Sequence, residues 1–130
     1  MYGFNIEISD SFDNAIKRVT EALKAEGFGV LTEIDVQATM KAKLNIDGQP
    51  YRILGACNPP LAHRAISADP DIGLLLPCNV VVREEPNKKI NIGFMDPIAV
   101  MKLTDNPGIV AVAKEVRVKL ERVRDRLAAA

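Results

Sequence analysis

The chain of 130 residues has the length of one domain, and its 48% of hydrophobic residues is enough for a folded core. Its 17 basic and 17 acidic residues give a formal net charge of zero, which argues against nucleic acid and anionic membrane surfaces as partners, because both attract a basic excess. With only two cysteines and no apolar run near the ~20 residues of a membrane span, the composition predicts a cytoplasmic protein whose thiols are free.

The first half of the chain alternates between the periodicities of strands and helices. Residues 2–8 alternate like a half-buried strand, and a helix follows over residues 12–26, ahead of Gly27. A second strand is predicted over residues 28–36, and a third over residues 51–57. No linker or repeat interrupts the pattern, so we expect residues 1–130 to form a single domain.

Three Asx-Pro pairs each precede a helical stretch: Asn58-Pro59, Asp96-Pro97 and Asn106-Pro107. The side-chain oxygen of such an Asx caps a helix, and proline suits the first helical position because its missing N–H is not needed there. We therefore predict a helix after each pair, with the last one running to near Leu127 along a narrow apolar stripe. Val118 lies outside that stripe and is a candidate for contact with a partner.

The most apolar run covers residues 73–82 and predicts a central buried strand that continues to about Glu84. Pro77 lies within this run and cannot donate to a strand ladder, so we expect a bulge, a bend or the start of the strand there. A return strand over residues 90–94 is predicted to pair with it in an antiparallel manner. The elements together indicate an α+β protein with a largely antiparallel sheet, long helices packed on it and short connecting helices.

Two Cys-Asn dipeptides, Cys57-Asn58 and Cys78-Asn79, carry the candidate chemistry. A thiol between a strand and a helix N-terminus can have a lowered pKa, but cysteine is also among the residue types most often buried, so a reactive and a structural role stay open. Asn58 is interpreted first as a helix cap. Asn79 within a run of leucine and valine needs hydrogen-bond partners, and it either bonds to the backbone near Asn58 or lines a pocket.

Acidic residues and the single histidine offer further candidates. Glu33 and Asp35 are two residues apart on one strand, either as paired carboxylates or as a solvated face with a helix cap. His63 is either exposed or joins Cys57, Cys78, Glu33 or Asp96 in a metal site or a thiol–imidazole pair. No phosphate-binding loop, dinucleotide fingerprint, nucleophile elbow or zinc-protease motif is present, so we expect no cofactor and no complete catalytic set.

Several stretches also resemble a known family, the domain-of-unknown-function family 302. They are Gly27-Phe28-Gly29-Val30, Glu33-Ile34-Asp35, Gly55-Ala56-Cys57-Asn58-Pro59, Gly73-Leu74-Leu75-Leu76-Pro77-Cys78-Asn79-Val80-Val81, Asp96-Pro97, and Asn106-Pro107 with Val116-Arg117. The resemblance implies a fold similar to that of the TATA-box-binding protein, with a curved antiparallel sheet, and it implies a homodimer. It does not imply DNA binding, because a fold does not determine a function. It implies no catalytic residues either, because the family has no established activity.

The sequence therefore predicts a non-catalytic homodimeric module that binds a small ligand or a protein partner where the two Cys-Asn dipeptides meet. The alternative function is thiol redox chemistry or metal binding at Cys57 and Cys78. The candidate ligand-binding residues are Cys57, Asn58, Cys78, Asn79, Glu33 and Asp96.

Overall fold

The computed structural model describes residues 1–129, and within them the α+β class is confirmed. In chain order the elements are β1 (Gly3–Ile8), α1 (Phe12–Ala25), β2 (Gly29–Asp35), α2 (Val36–Leu44), β3 (Tyr51–Cys57), α3 (Pro59–Ala68), a 3-10 helix (Pro70–Leu75), β4 (Cys78–Glu84), β5 (Ile90–Met95), α4 (Pro97–Met101) and α5 (Pro107–Ala129). No helix within these residues is both long enough and apolar enough to cross a membrane.

The five strands form one sheet in the order β1-β5-β4-β3-β2, and every neighbouring pair is antiparallel. The central position of β4 confirms the prediction for the apolar run, and Val80 and Val82 are fully buried in it. Side chains alternate between the two faces of a strand, so these valines mark the face that the helices cover. Helices α1 and α5 complete the same core with residues such as Val19 and Leu120.

The start predicted for this central strand is wrong. Residues 70–75 form the 3-10 helix instead, and Leu74 is 86% exposed. Asp69 starts the helix by accepting a hydrogen bond from the N–H of Asp71, and Pro70 occupies its first position. The strand begins only at Cys78, directly after Pro77, so one of the three outcomes expected at this proline is confirmed.

All three Asx-Pro pairs begin a helix as predicted. Asn58 Oδ1 accepts from the N–H of Leu61 at 3.4 Å, and Asp96 Oδ1 accepts from the N–H of Ile98 at 2.9 Å. Asn106 caps α5 with the same geometry, at 2.9 Å. The side-chain oxygens thus satisfy N–H groups that a helix leaves without an internal partner.

On the face of the sheet opposite α1 and α5, Ile53 and Val81 are only half-buried and Asn79 is exposed, and we call it the open face. It holds a groove lined by Tyr51, Asn79, Val81 and Arg83, among other residues. Helix α2 is also peripheral, because none of its residues is buried. The fold therefore has one well-packed side and one largely uncovered side.

Candidate functional site

A cavity of about 340 Å³ lies where β3 ends and β4 begins. The 3-10 helix and helices α3, α4 and α5 supply the rest of its lining, and it is open to solvent on one side. Both cysteines line it, together with mostly apolar residues that include Phe28, Leu61, Ala65, Met101, Ile109 and Val112. The cavity is therefore the place in which the two predicted thiols meet.

The strand register explains why Cys57 and Cys78 lie together. Ala56 is the cross-strand partner of Cys78, so Cys57 follows directly after that pair. Strand β3 ends at Cys57 because Asn58 and Pro59 begin α3, and β4 can begin only after Pro77. Cys57 and Cys78, 21 residues apart along the chain, thus lie at the same end of one antiparallel strand pair.

The two thiols differ in their surroundings. Cys78 is buried, and this burial, with a smaller contribution from nearby Cys57, raises the pKa of the Cys78 thiol to about 11. Cys57 is half-buried, and neither residue forms a disulfide. The thiolate is the nucleophilic form of cysteine, so Cys78 is a neutral, weakly reactive wall residue at pH 7.

Asn58 lines the cavity, but its amide is already bonded to the backbone. Its Oδ1 caps α3, and its Nδ2 donates to the carbonyl oxygen of Glu26 at 3.5 Å. The close approach of Asn58 to the end of α1 favours a glycine at position 27, because φ there is +86° and a Cβ would lie 3.1 Å from Asn58 Nδ2. Asn58 therefore caps α3, as predicted, and also ties the end of α1 to the start of α3.

Asn79 does not join the cavity. It lies in β4 between Cys78 and Val80, which both face the helices, so its side chain is on the open face and exposed. The expectation of a buried amide bonded near Asn58 is therefore wrong. Asn79 does line the groove of the open face, opposite Gly55 of β3.

The two acidic candidates bind arginines instead of lining the cavity. Glu33 Oε1 accepts from Arg52 at 2.8 Å, at an exposed position of β2. Asp96 Oδ2 accepts from Arg117 at 2.6 Å while its Oδ1 caps α4. Burial raises the pKa of the Asp96 carboxyl, but the hydrogen bonds from Arg117 and from backbone N–H groups outweigh it, so the pKa lies below its ordinary value.

The histidine offers no metal centre with these residues. His63 is exposed on α3, and among the described residues no three His, Cys, Asp or Glu side chains lie close enough together to hold a metal ion. Of the six candidate residues, the structure thus brings together Cys57, Asn58 and Cys78.

Sequence reasoning missed the wall that α5 contributes. Ala113 and Val116 belong to the apolar stripe that was predicted for this helix, and here the stripe faces the cavity as well as the sheet. Ala62 and Ala65 line the cavity from α3. The sequence did contain a signal for this cavity. It was alanine at stripe positions that elsewhere hold leucine or valine, because short side chains leave space between packed elements.

Two comparisons with known proteins find relatives that share one description, DUF302. A family model described as "Domain of unknown function DUF302" matches residues 4–127. The crystal structure of an uncharacterized conserved protein DUF302 from Bacillus stearothermophilus is similar, with 31% sequence identity, 98% of each chain covered and a TM-score of 0.90. A comparison with curated proteins finds no match.

Proposed function

This chain belongs to the family described as domain of unknown function DUF302, and we propose that it is a non-catalytic module that binds a small molecule in the cavity lined by Cys57, Asn58 and Cys78. The cavity itself carries the proposal. Its volume of about 340 Å³ lies within the ~300–1,000 Å³ of small-molecule sites.

The polar groups of the region favour binding over catalysis. A nucleophile needs a base within hydrogen-bond reach, and the base needs an orienting group. Here Cys78 is held neutral, the amide of Asn58 is bonded to the backbone, and His63 is exposed. Asp96 directly precedes the cavity residue Pro97 in the chain, but its carboxylate is paired with Arg117.

Thiol redox chemistry is the second candidate, because Cys57 and Cys78 line one cavity. The raised pKa of Cys78 opposes it, since thiol–disulfide exchange proceeds through the thiolate. Titration with a thiol reagent in the presence and absence of denaturant separates the two candidates. Thiols that react only after unfolding contradict the redox function, whereas two fast thiols in the folded protein would favour it over simple ligand binding.

The binding proposal is tested by reducing the size of the cavity. Ala113→Leu places a larger side chain in the cavity wall, whereas Ala111→Leu makes the same change at an exposed position on the same helix. A mixed collection of neutral and charged fragments is screened by NMR against both variants and the parent protein. We expect fragments that bind the parent and Ala111→Leu but not Ala113→Leu. The proposal is wrong if every fragment bound by the parent is also bound by Ala113→Leu.

We also propose that a second copy of the chain covers the open face, forming a homodimer. The strand register places Ile34 beside Ile53, and Ile53 beside Val81, so an apolar row crosses three adjacent strands. Ile34 is 49% exposed and the other two are half-buried. A two-fold axis would set this row against its own copy, and the zero net charge of the chain adds no long-range repulsion.

Sedimentation equilibrium tests the dimer and its surface. The parent protein should show a concentration-dependent mass between one and two chains, and Val81→Glu should shift it to one chain. Val118→Glu makes the same substitution at an exposed position on α5 and tests that helix as the alternative dimer surface. If Val118→Glu dissociates the dimer and Val81→Glu does not, then the interface lies on α5, and a parent that remains monomeric contradicts the dimer itself.

A further inference from the structure

The cavity wall contains no ionised side chain. Its polar residues are Thr32, Asn58 and the two cysteines, and all other lining residues are apolar or glycine. Both ends of the Asn58 amide are bonded to the backbone, and Cys78 is buried as a neutral thiol. A charged group placed inside would lose its hydration without gaining a partner, which is strongly unfavourable.

The exposed part of the wall is also apolar. Leu31 and Ile66 line the cavity and are 68% and 46% exposed, so they mark its mouth. Gly73 also lines the cavity, and the next residue along the 3-10 helix is the exposed Leu74. Large apolar side chains grouped on a surface are typical of a binding site for apolar groups.

From these observations, and resting on the proposed function, we infer that the cavity takes a single uncharged hydrocarbon group of about ten carbon atoms. The size follows from dividing the volume of about 340 Å³ by ~30 Å³ for each methylene, which is the volume of one water molecule in the liquid. A lipid with two long acyl chains exceeds this volume. The ligand is therefore a single-chain molecule, and any polar end it has lies at the mouth between Leu31 and Ile66.

A series of straight-chain 1-alkanols tests both the chemical class and the size, with binding measured by calorimetry or NMR titration. Each added methylene should lower Kd about fourfold until the cavity is full, and longer chains should gain nothing more. In the parent protein the gain in affinity should end at about ten carbons. Small ionised molecules without an alkyl chain, such as acetate, methylammonium and inorganic phosphate, should not bind in the cavity.

Two cavity variants and one control sharpen the series. Ala113→Leu adds about three carbon atoms to the wall, so the longest chain that still gains affinity should shorten by about three carbons. Ala62→Leu, at a half-buried position in the same wall, should also shorten it and is the second variant if Ala113→Leu does not fold. Ala111→Leu should leave the series unchanged.

The outcomes separate this inference from the proposal on which it rests. A chain-length limit that both wall variants shorten supports the hydrocarbon ligand. Ionised probes that bind, and lose binding in the wall variants, would overturn the hydrocarbon ligand while leaving the cavity as a binding site. If neither neutral nor ionised probes bind in a way that the wall variants alter, both the ligand class and the binding function are wrong.

Discussion

Replacing Asp96 should separate two structural roles of one carboxylate. Its Oδ1 caps α4 by accepting from the N–H groups of Ile98 and Ala99, and its Oδ2 binds Arg117 at 2.6 Å. The pair is well covered, with side-chain exposures of 25% for Arg117 and 17% for Asp96. Asp96→Asn keeps an oxygen for the cap but removes the charge, whereas Asp96→Ala removes both.

The size of each effect follows from what remains after the change. A hydrogen bond to a charged group contributes about 1.5–3 kcal/mol, and the lower part of that range applies because Arg117 keeps its bond to Glu121 and its position over the Phe4 ring. Asp96→Asn should therefore lower the free energy of unfolding by about 1.5 kcal/mol. Loss of the cap adds about 1 kcal/mol in Asp96→Ala. Glu121→Gln, which alters only a more exposed pair on one helix, should cost about 0.5 kcal/mol or less.

Urea unfolding followed by circular dichroism measures these differences at several pH values. The pKa of Asp96 is lowered in the folded protein, so its charge contributes stability above the ordinary value of 3.8, and this contribution is lost as the pH falls through the folded-state pKa. The gap between the parent and Asp96→Asn should thus be full near neutral pH and close in strong acid. A parent and an Asp96→Asn variant of equal stability at neutral pH would refute this account and leave the carboxylate available to a ligand.

Three other residues give predictions from the same contacts. Asn58→Ala should cost about 1–2 kcal/mol in urea unfolding, and Asn58→Asp clearly less because it keeps the capping oxygen, so equal losses would contradict the role of the cap. Gly55→Ala should destabilise the fold by about 1–3 kcal/mol, because its Cβ would overlap Thr32 Oγ1, and Thr32→Ala should recover part of that loss unless the overlap is unimportant. In the folded protein Cys78 should be alkylated far more slowly than Cys57 below pH ~11, and equal rates measured by mass spectrometry would refute its burial.

The elements that the sequence predicted well are specified by residues close together in the chain. Helix α1 begins after Ser11 and ends before Gly27, and α5 follows its stripe from Pro107, because caps and periodicity are local signals. The bounds of β3, Tyr51–Cys57, were also predicted, since Asn58 and Pro59 stop the strand and begin α3. Fold class followed from the order of these elements and from the family resemblance.

Where prediction failed, the deciding contact is distant or the pattern is ambiguous. Leucines 74–76 fit a buried strand and a helical turn equally well, and Pro70 with its cap decided for the 3-10 helix. The arginine partner of Asp96 is 21 residues away and that of Glu33 is 19 residues away. Periodicity contains no information about which of many arginines reaches a given carboxylate, so both acidic residues could be taken for parts of a ligand site.

The repeated Cys-Asn dipeptide shows why equal sequence does not mean equal role. In the first copy the strand has ended, so Asn58 turns back to cap a helix and stays beside the cavity. In the second copy the strand has just begun, and the alternation of a strand sends Cys78 to the cavity and Asn79 to the opposite face. Strand β4 therefore separates the proposed ligand site from the proposed dimer surface. It follows that a substitution at Cys78 tests the cavity and one at Asn79 tests the open face, although the two residues are neighbours in the chain.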